Sequence, residues 1–134
     1  MPHFDHSHRV TYAETDRMGY VYYGNYLTYF EIGRTELIRA SGKTYLALEE
    51  MGLMLPAVEA TVKYHRPARY DDLLTVRTTV TEFKGIRLKF AYEILRDGEK
   101  LAEGMTLHAF VDREGKPTRP PAEVRELIEK SAAG

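Results

Sequence analysis

Two acidic side chains stand just before a loop and a long apolar segment, and their placement suits chemistry at a carbonyl group. Glu14 and Asp16 are separated by one residue, and the apolar segment runs over residues 24–40. If this segment is a helix, the N–H groups of its first turn lack partners within the helix, and its dipole favours negative charge there. A carboxylate beside such N–H groups suits attack on a carbonyl carbon whose oxygen becomes negative. The alternative interpretation is that Asp16 only caps the helix or a turn.

Other kinds of catalytic site find little support. None of the serines (Ser7, Ser41 and Ser131) lies in a G-x-S-x-G motif, so a serine hydrolase is not expected. Residues 41–44 resemble the end of a phosphate-binding loop, but Leu37 stands where that motif requires glycine. The chain has no cysteine, which excludes a thiolate nucleophile and a cysteine-ligated metal.

The histidines form no clear reactive cluster. His3, His6 and His8 could gather a metal ion, but a solvated, partly frayed N-terminus is the simpler interpretation. His65 and His108 stand alone in predicted strands, where a structural role is the more common one. We therefore expect no metal site.

The composition is that of an ordinary folded domain and narrows the classes of partner. The chain has 134 residues, 43% of them hydrophobic and 29% charged, which predicts one domain over residues 1–134. With 19 Lys and Arg against 20 Asp and Glu, it lacks the basic field that attracts nucleic acid. No apolar run approaches the roughly 20 residues of a membrane span, and the N-terminus lacks the apolar core of a signal peptide. We expect a cytoplasmic protein that neither binds nucleic acid nor spans a membrane.

The elements that position the two acids can be predicted from hydrophobic periodicity. Residues 9–14 read as a short strand, residues 15–23 as a loop, and residues 24–40 as a helix that is mostly enclosed. One face of this helix carries Tyr26, Phe30, Gly33 and Leu37. Two shorter helices are predicted over residues 44–51 and 122–130.

The period changes to two in the second half of the chain. Apolar and polar residues alternate over residues 58–65, 74–81, 86–94 and 101–111, and glycine or aspartate marks the turns between the later segments. Short connections make the last three strands an antiparallel meander. Because a sheet with one dry face must be covered, we predict an α+β fold in which the sheet wraps around the long helix.

The loop and helix carry a motif that resembles a known family. Residues 12–31 read YAETDRMGYVYYGNYLTYFE and continue to Arg34, which is similar to the signature of the hot-dog-fold acyl-CoA thioesterases. The nearest resemblance is to the 4-hydroxybenzoyl-CoA thioesterase family and its Tol-Pal-associated relatives. Residues 64–68 and 72–76 also resemble that family's second and third strands, so the similarity covers about residues 8–112. It implies a curved antiparallel sheet around one central helix and the hydrolysis of acyl-CoA thioesters.

The resemblance also implies roles for individual residues. Asp16 matches the catalytic carboxylate, acting as nucleophile or general base, and the backbone N–H groups of Tyr23 and Gly24 match the oxyanion site. Many bacterial relatives carry histidine at the position of Tyr23, whereas the 4-hydroxybenzoyl-CoA enzymes carry tyrosine. Residues matched to support of the site are Tyr12, Gly19, Asn25 and Glu31. For Glu31, a contact with Arg34 or Thr35 on the helix face is the simpler interpretation.

Coenzyme A, as part of the substrate, needs cations for its phosphates, and no other cofactor is implied. Lys84, Arg87 and Lys89 cluster around one predicted hairpin and are candidates for this role, with Arg66 a weaker one.

Relatives in the family form homodimers, often paired into homotetramers, with active sites at the subunit interface. A hydroxyacyl dehydratase is disfavoured because the central helix has no histidine. A non-catalytic acyl-CoA-binding or scaffold protein remains the alternative function.

Overall fold

The computed structural model describes residues 3–132, which form a five-stranded antiparallel sheet and three helices. The order of strands across the sheet is β1-β3-β4-β5-β2. This arrangement confirms the predicted α+β class. In chain order the elements are β1 (Phe4–Arg9), a 3-10 turn (Tyr12–Glu14), α1 (Asn25–Ala40), α2 (Tyr45–Glu50), β2 (Ala57–Tyr64), β3 (Leu73–Lys84), β4 (Arg87–Arg96), β5 (Glu99–Ala109) and α3 (Ala122–Ala132).

The long helix α1 packs on the inner face of the sheet and forms the centre of the core. Phe30 and Leu37 are fully buried, as the helical spacing predicts, and so is Tyr29 on a neighbouring face of the helix. The ring of Phe30 stacks on that of Tyr92 in β4, with centroids 4.3 Å apart. These contacts confirm the expectation of a sheet wrapped around one central helix.

Gly33 allows α1 to approach β3 closely. A Cβ atom at this position would lie 2.5 Å from Thr78 Oγ1 and 2.7 Å from Val76 Cγ1, both on the strand beneath. Both atoms belong to short side chains that cannot move aside, so any larger residue would push the helix away from the sheet. The glycine in the helix is therefore a packing requirement.

The first strand lies earlier in the chain than predicted. β1 pairs with β3 over Phe4–Arg9, and residues 9–14 do not form a strand. The chain leaves the sheet after Arg9 and makes a 3-10 turn, which the Glu14 carboxylate closes by accepting the N–H of Thr11 at 2.8 Å. The expectation of a solvated, frayed segment at His6 and His8 is wrong, because strand pairing holds it.

The edge strand β2 and one flank of α1 remain exposed in the single chain. Val58 is 61% and Tyr64 47% exposed, and among the described residues β2 has a neighbouring strand on one side only. Leu27, near the start of α1, is 44% exposed, so the helix is less enclosed than predicted. Over residues 3–132 there is no helix of the length and apolarity that crossing a membrane requires.

Candidate active site

The loop between the 3-10 turn and α1 holds Asp16 in a tight turn. Its Oδ1 accepts hydrogen bonds from the N–H groups of Met18 at 2.9 Å and Tyr20 at 3.3 Å. The backbone closes the same turn, because Asp16 N–H donates to the Tyr20 carbonyl at 2.8 Å. Gly19 has φ +81°, a conformation that side chains disfavour, so glycine is required at this bend. Within residues 3–132, Asp16 Oδ2 accepts no hydrogen bond.

Asp16 borders a cavity of about 250 Å³. The walls are mainly aromatic and aliphatic, with a few ionisable groups among them, which is the usual character of a small-molecule site. The other lining residues are Met18, Tyr20, Val21, Tyr23, Tyr26, Tyr64, His65, Arg66 and Pro67.

Just before α1, the N–H groups of two residues have no partner among residues 3–132, and one of these residues, Tyr23, lines the cavity. Gly24 caps the helix, and the first N–H of the helix, that of Asn25, already donates to the Tyr22 carbonyl at 2.9 Å. In the part of the chain that the structure describes, the N–H groups of Tyr23 and Gly24 donate to no other group. The Tyr64 hydroxyl donates to the Tyr23 carbonyl at 2.9 Å and so anchors this turn to β2. Two donors at the positive end of the helix dipole are thus available to a negative oxygen.

Glu14 links the loop to both the sheet and the helix. His8 Nε2 lies 3.0 and 3.1 Å from its two carboxylate oxygens, and the Tyr29 hydroxyl donates to Oε1 at 3.1 Å. Burial alone would raise the pKa of Glu14, but the bonds from Thr11, His8 and Tyr29 hold it below its usual value. Burial and the Glu14 carboxylate raise the pKa of Tyr29, which stays a donor. The Glu14 side chain is therefore charged, and its carboxylate is surrounded by hydrogen bonds from Thr11, His8 and Tyr29.

The backbone of Glu14 meets the predicted site residue Asn25. The Glu14 carbonyl accepts from Asn25 Nδ2 at 2.8 Å and from the Tyr22 N–H at 2.9 Å. Asn25 thus joins the first turn of α1 to the entry of the loop.

Two other residues that the resemblance assigned to site support lie at the surface. The Tyr12 side chain is 79% exposed and packs edge-on against Tyr70, while its carbonyl accepts the Thr15 hydroxyl at 2.7 Å. Tyr12 thus contacts the loop through its backbone. Glu31 is exposed on α1, and among residues 3–132 it forms no ion pair with Arg34, which points inward with Nη1 3.5 Å from the Tyr92 hydroxyl.

The candidate CoA-binding cations fall into two groups. Arg66 lines the cavity and pairs with Glu99 at 3.2 Å. Lys84, Arg87 and Lys89 lie around the β3–β4 hairpin, whereas the Asp16 loop packs near the other end of β3. Since β3 runs from Leu73 to Lys84, the two ends are roughly 35 Å apart at the usual rise of a strand. One chain therefore does not bring these three cations to the cavity.

His65 is a residue whose surroundings the sequence did not reveal. Its Nε2 lies 2.6 Å from Glu103 Oε2 in β5, and the residue lines the cavity, so the expectation that it stands alone is wrong. The bond from His65 and the nearby Lys100 lower the pKa of Glu103. Because His65 and Glu103 are 38 residues apart, no local spacing could have paired them. His108, by contrast, is buried in the core and does not line the cavity.

The described residues include no cluster of three or more side chains suited to holding a metal ion. Within residues 3–132, the site consists of a carboxylate, two N–H groups without a partner and a cavity with mainly apolar walls. Such a site can stabilise negative charge on an oxygen while a carboxylate or a water molecule attacks the adjoining carbon.

Comparisons with known proteins agree with this chemistry. Residues 10–128 match the thioesterase-like superfamily. The chain is 37% identical over 119 residues to the acyl-CoA thioesterase YbgC of Haemophilus influenzae, covering 87% of this chain and 88% of that protein. The crystal structure of a DHNA-CoA thioesterase from Staphylococcus aureus superposes with a TM-score of 0.91 at 30% identity, over 99% and 93% of the two chains. A hypothetical protein from Aquifex aeolicus superposes with a TM-score of 0.90 at 33% identity, over 93% and 98%.

Proposed function

Because this chain belongs to the thioesterase-like superfamily, we propose that it hydrolyses acyl-CoA thioesters to a carboxylic acid and free CoA. The similarity to an acyl-CoA thioesterase over most of both chains supports this activity. The observation that carries the proposal is that Asp16 and Tyr23 line one cavity at the start of α1, where the N–H groups of Tyr23 and Gly24 have no partner among residues 3–132.

The reaction proposed for this site needs only a carboxylate and an oxyanion site. A thioester carbonyl is electrophilic, and a thiolate leaves without strong acid. Asp16 Oδ2 attacks the carbonyl carbon, or it removes a proton from a water molecule that attacks instead. The carbonyl oxygen then becomes negative and accepts hydrogen bonds from the Tyr23 and Gly24 N–H groups. When the C–S bond breaks, its electron pair leaves with sulfur; direct attack by Asp16 leaves a mixed anhydride that water opens.

These two routes can be separated by oxygen labelling. If Asp16 is the nucleophile and water opens the anhydride at the aspartyl carbon, turnover in H₂¹⁸O adds ¹⁸O to the peptide that contains Asp16. If Asp16 is a general base, the label enters only the released acid. Mass spectrometry of the digested enzyme after many turnovers detects this label, and ¹⁸O in the Asp16 peptide would establish the nucleophilic route.

Binding of the CoA phosphates is proposed for Arg66 and for the cluster of Lys84, Arg87 and Lys89. Arg66 already lines the cavity. The other three serve a site to which a second subunit brings them, since they lie at the far end of β3 within one chain. This is one reason to propose a homo-oligomer with interfacial sites.

The exposed edge of the sheet also supports assembly. Among the strands of residues 3–132, β2 has no neighbour on one side, and its residues Val58 and Tyr64 are exposed. We propose a homodimer that continues the sheet across β2, paired into a homotetramer, as the family resemblance implies. The absence of cysteine suits the cytoplasm, which we propose as its compartment.

One observation favours the alternative of a non-catalytic acyl-CoA-binding protein. Asp16 Oδ1 accepts two backbone N–H groups of its own turn, which is what a purely structural cap does. The substitution Asp16→Asn separates these roles, because the amide oxygen of asparagine still caps the turn but does not attack or remove a proton.

The deciding experiment measures thiol release from short, medium, long and aromatic acyl-CoA esters by the wild type and by Asp16→Asn. We expect turnover by the wild type and a loss of at least about 100-fold in the variant, with the thermal midpoint unchanged. Equal turnover by both proteins would refute the role of Asp16. Binding of the esters without turnover by the wild type would favour the alternative function.

A further inference from the structure

We propose that Glu14 is a positioning residue for this reaction, and that its side chain sets the distance between Asp16 and the N–H groups of Tyr23 and Gly24. The inference rests on the proposed function, because it assigns a role toward that same site.

The carboxylate of Glu14 is held by three separate parts of the fold. His8 from β1 contacts both oxygens at 3.0 and 3.1 Å, the Thr11 N–H donates to Oε1 at 2.8 Å, and the Tyr29 hydroxyl of α1 donates to Oε1 at 3.1 Å. The rings of His8 and Tyr29 also pack together, with centroids 4.9 Å apart. Residue 14 is thus fixed relative to both the sheet and the central helix.

The backbone around Glu14 transmits this position to both halves of the site. The Glu14 carbonyl accepts the Tyr22 N–H at 2.9 Å, and Thr15 pairs with Val21 in an antiparallel bridge. Asp16 follows Glu14 by two residues, and Tyr23 follows Tyr22 by one. Because both halves are covalently close to these pairs, a shift of residue 14 moves the carboxylate and the N–H groups relative to each other.

Glu14 acts on the site without reaching the substrate cavity. In the described part of the chain the cavity walls include Asp16 and Tyr23 but not Glu14. Its hydrogen bonds are strong because the acceptor is charged, and three bonds to one carboxylate restrict its position more than one would. Reactions of this kind are sensitive to such restraint, since a displacement of about 1 Å can lower the rate about 100-fold.

The test replaces the carboxylate while keeping its size. Glu14→Gln retains an oxygen that can accept one or two of the bonds, but it loses the charge and cannot accept all three donors equally well. Tyr29→Phe leaves Glu14 in place and removes a single bond. Glu36→Gln is the matched control, because Glu36 lies on α1, as Tyr29 does, but pairs with Arg39 at 3.4 Å.

We expect Glu14→Gln to lower kcat about 10- to 100-fold and Tyr29→Phe to lower it about 3- to 10-fold. The Kd of a non-hydrolysable CoA thioether, and KM if chemistry is slower than substrate dissociation, should stay within about threefold of wild type, because Glu14 does not line the cavity. The double variant should lose less than the product of the two single losses, since both changes break one network. Glu36→Gln should match the wild type.

Several results would overturn the inference. These are an unchanged kcat in Glu14→Gln, or a loss that appears equally in KM and in the thioether Kd. If Glu14→Gln does not fold, Tyr29→Phe decides: lower kcat at unchanged Kd and thermal midpoint supports the role, and unchanged kcat refutes it. If the wild type hydrolyses acyl-CoA and Glu14→Gln has the same kcat, the inference about Glu14 fails and the proposed function stands. If the wild type turns over no ester, the proposed function and the inference fail together.

Discussion

Acidification should destabilise this fold through a histidine that lies inside the core. His108 of β5 is fully buried, with Nε2 2.8 Å from Thr106 Oγ1 and Nδ1 3.1 Å from the Leu55 carbonyl. Burial, assisted by the nearby charge of Arg34, lowers the pKa of His108 to about 4. The folded protein therefore holds this ring neutral in a range where an exposed histidine takes up a proton.

The sign and size of the effect follow from the two protonation equilibria. The unfolded chain has the usual histidine pKa of 6.5, so between about pH 6.5 and about pH 4 it binds a proton that the folded chain lacks. The stability that depends on the neutral ring is fully present above this window and is lost as the pH falls through it. At about 1.4 kcal/mol per pH unit, the window corresponds to about 3 kcal/mol, of which about 2.5 kcal/mol is lost by about pH 4.5.

The measurement compares urea unfolding of the wild type and of His108→Gln at about pH 7 and about pH 4.5. Carboxylates such as Glu14 titrate in both proteins, so their contribution cancels in the comparison. We expect the wild type to lose about 2.5 kcal/mol more than the variant over this change of pH. An equal loss in the two proteins would refute the reasoning, because the variant has no titrating group at this position.

Three further predictions concern binding, assembly and packing. Arg87→Glu should raise KM for acyl-CoA about tenfold with little change in kcat, while Lys116→Glu, at an exposed turn, should change neither. Unchanged KM in steady-state kinetics would remove Arg87 from the CoA site. Val58→Asp should dissociate the oligomer and abolish turnover, whereas Leu46→Asp, at a similarly exposed residue of α2, should do neither. Light scattering after gel filtration measures the oligomeric state, and an intact, active oligomer of Val58→Asp would contradict the prediction. Gly33→Ala should lower the free energy of unfolding by about 1–3 kcal/mol through its contact with Val76 and Thr78, and an unchanged urea midpoint would argue against that packing.

Features that repeat along the chain could be predicted from the sequence. The spacing of Tyr26, Phe30, Gly33 and Leu37 predicted α1, because residues three or four apart share a helix face whatever surrounds it. Alternation predicted β3, β4 and β5 in the same way, and the turn residues between them predicted their antiparallel order. The placement of Asp16 before the start of α1 also needed no more than local spacing.

The start of the chain shows where local reasoning stopped. Residues 9–14 were predicted as a strand, but the strand is Phe4–Arg9, and its pairing with β3 joins residues about 70 positions apart. Nothing in the residues around His8 indicates that its ring will contact the Glu14 carboxylate. In the 3-10 turn that forms instead, the Glu14 carboxylate contacts the Thr11 N–H, His8 and Tyr29 at the same time. These three contacts stabilise the turn.

By itself, the sequence determined the elements from α1 onward and the order in which the candidate carboxylate, the loop and the central helix follow one another, because those depend on neighbours along the chain. Only the tertiary structure decided which side chains meet: Glu14 with His8 and Tyr29, His65 with Glu103, and the cations of the β3–β4 hairpin far from the cavity. These contacts depend on strand register and on how closely α1 approaches the sheet. Register and approach are set by packing between distant segments, which local periodicity does not encode.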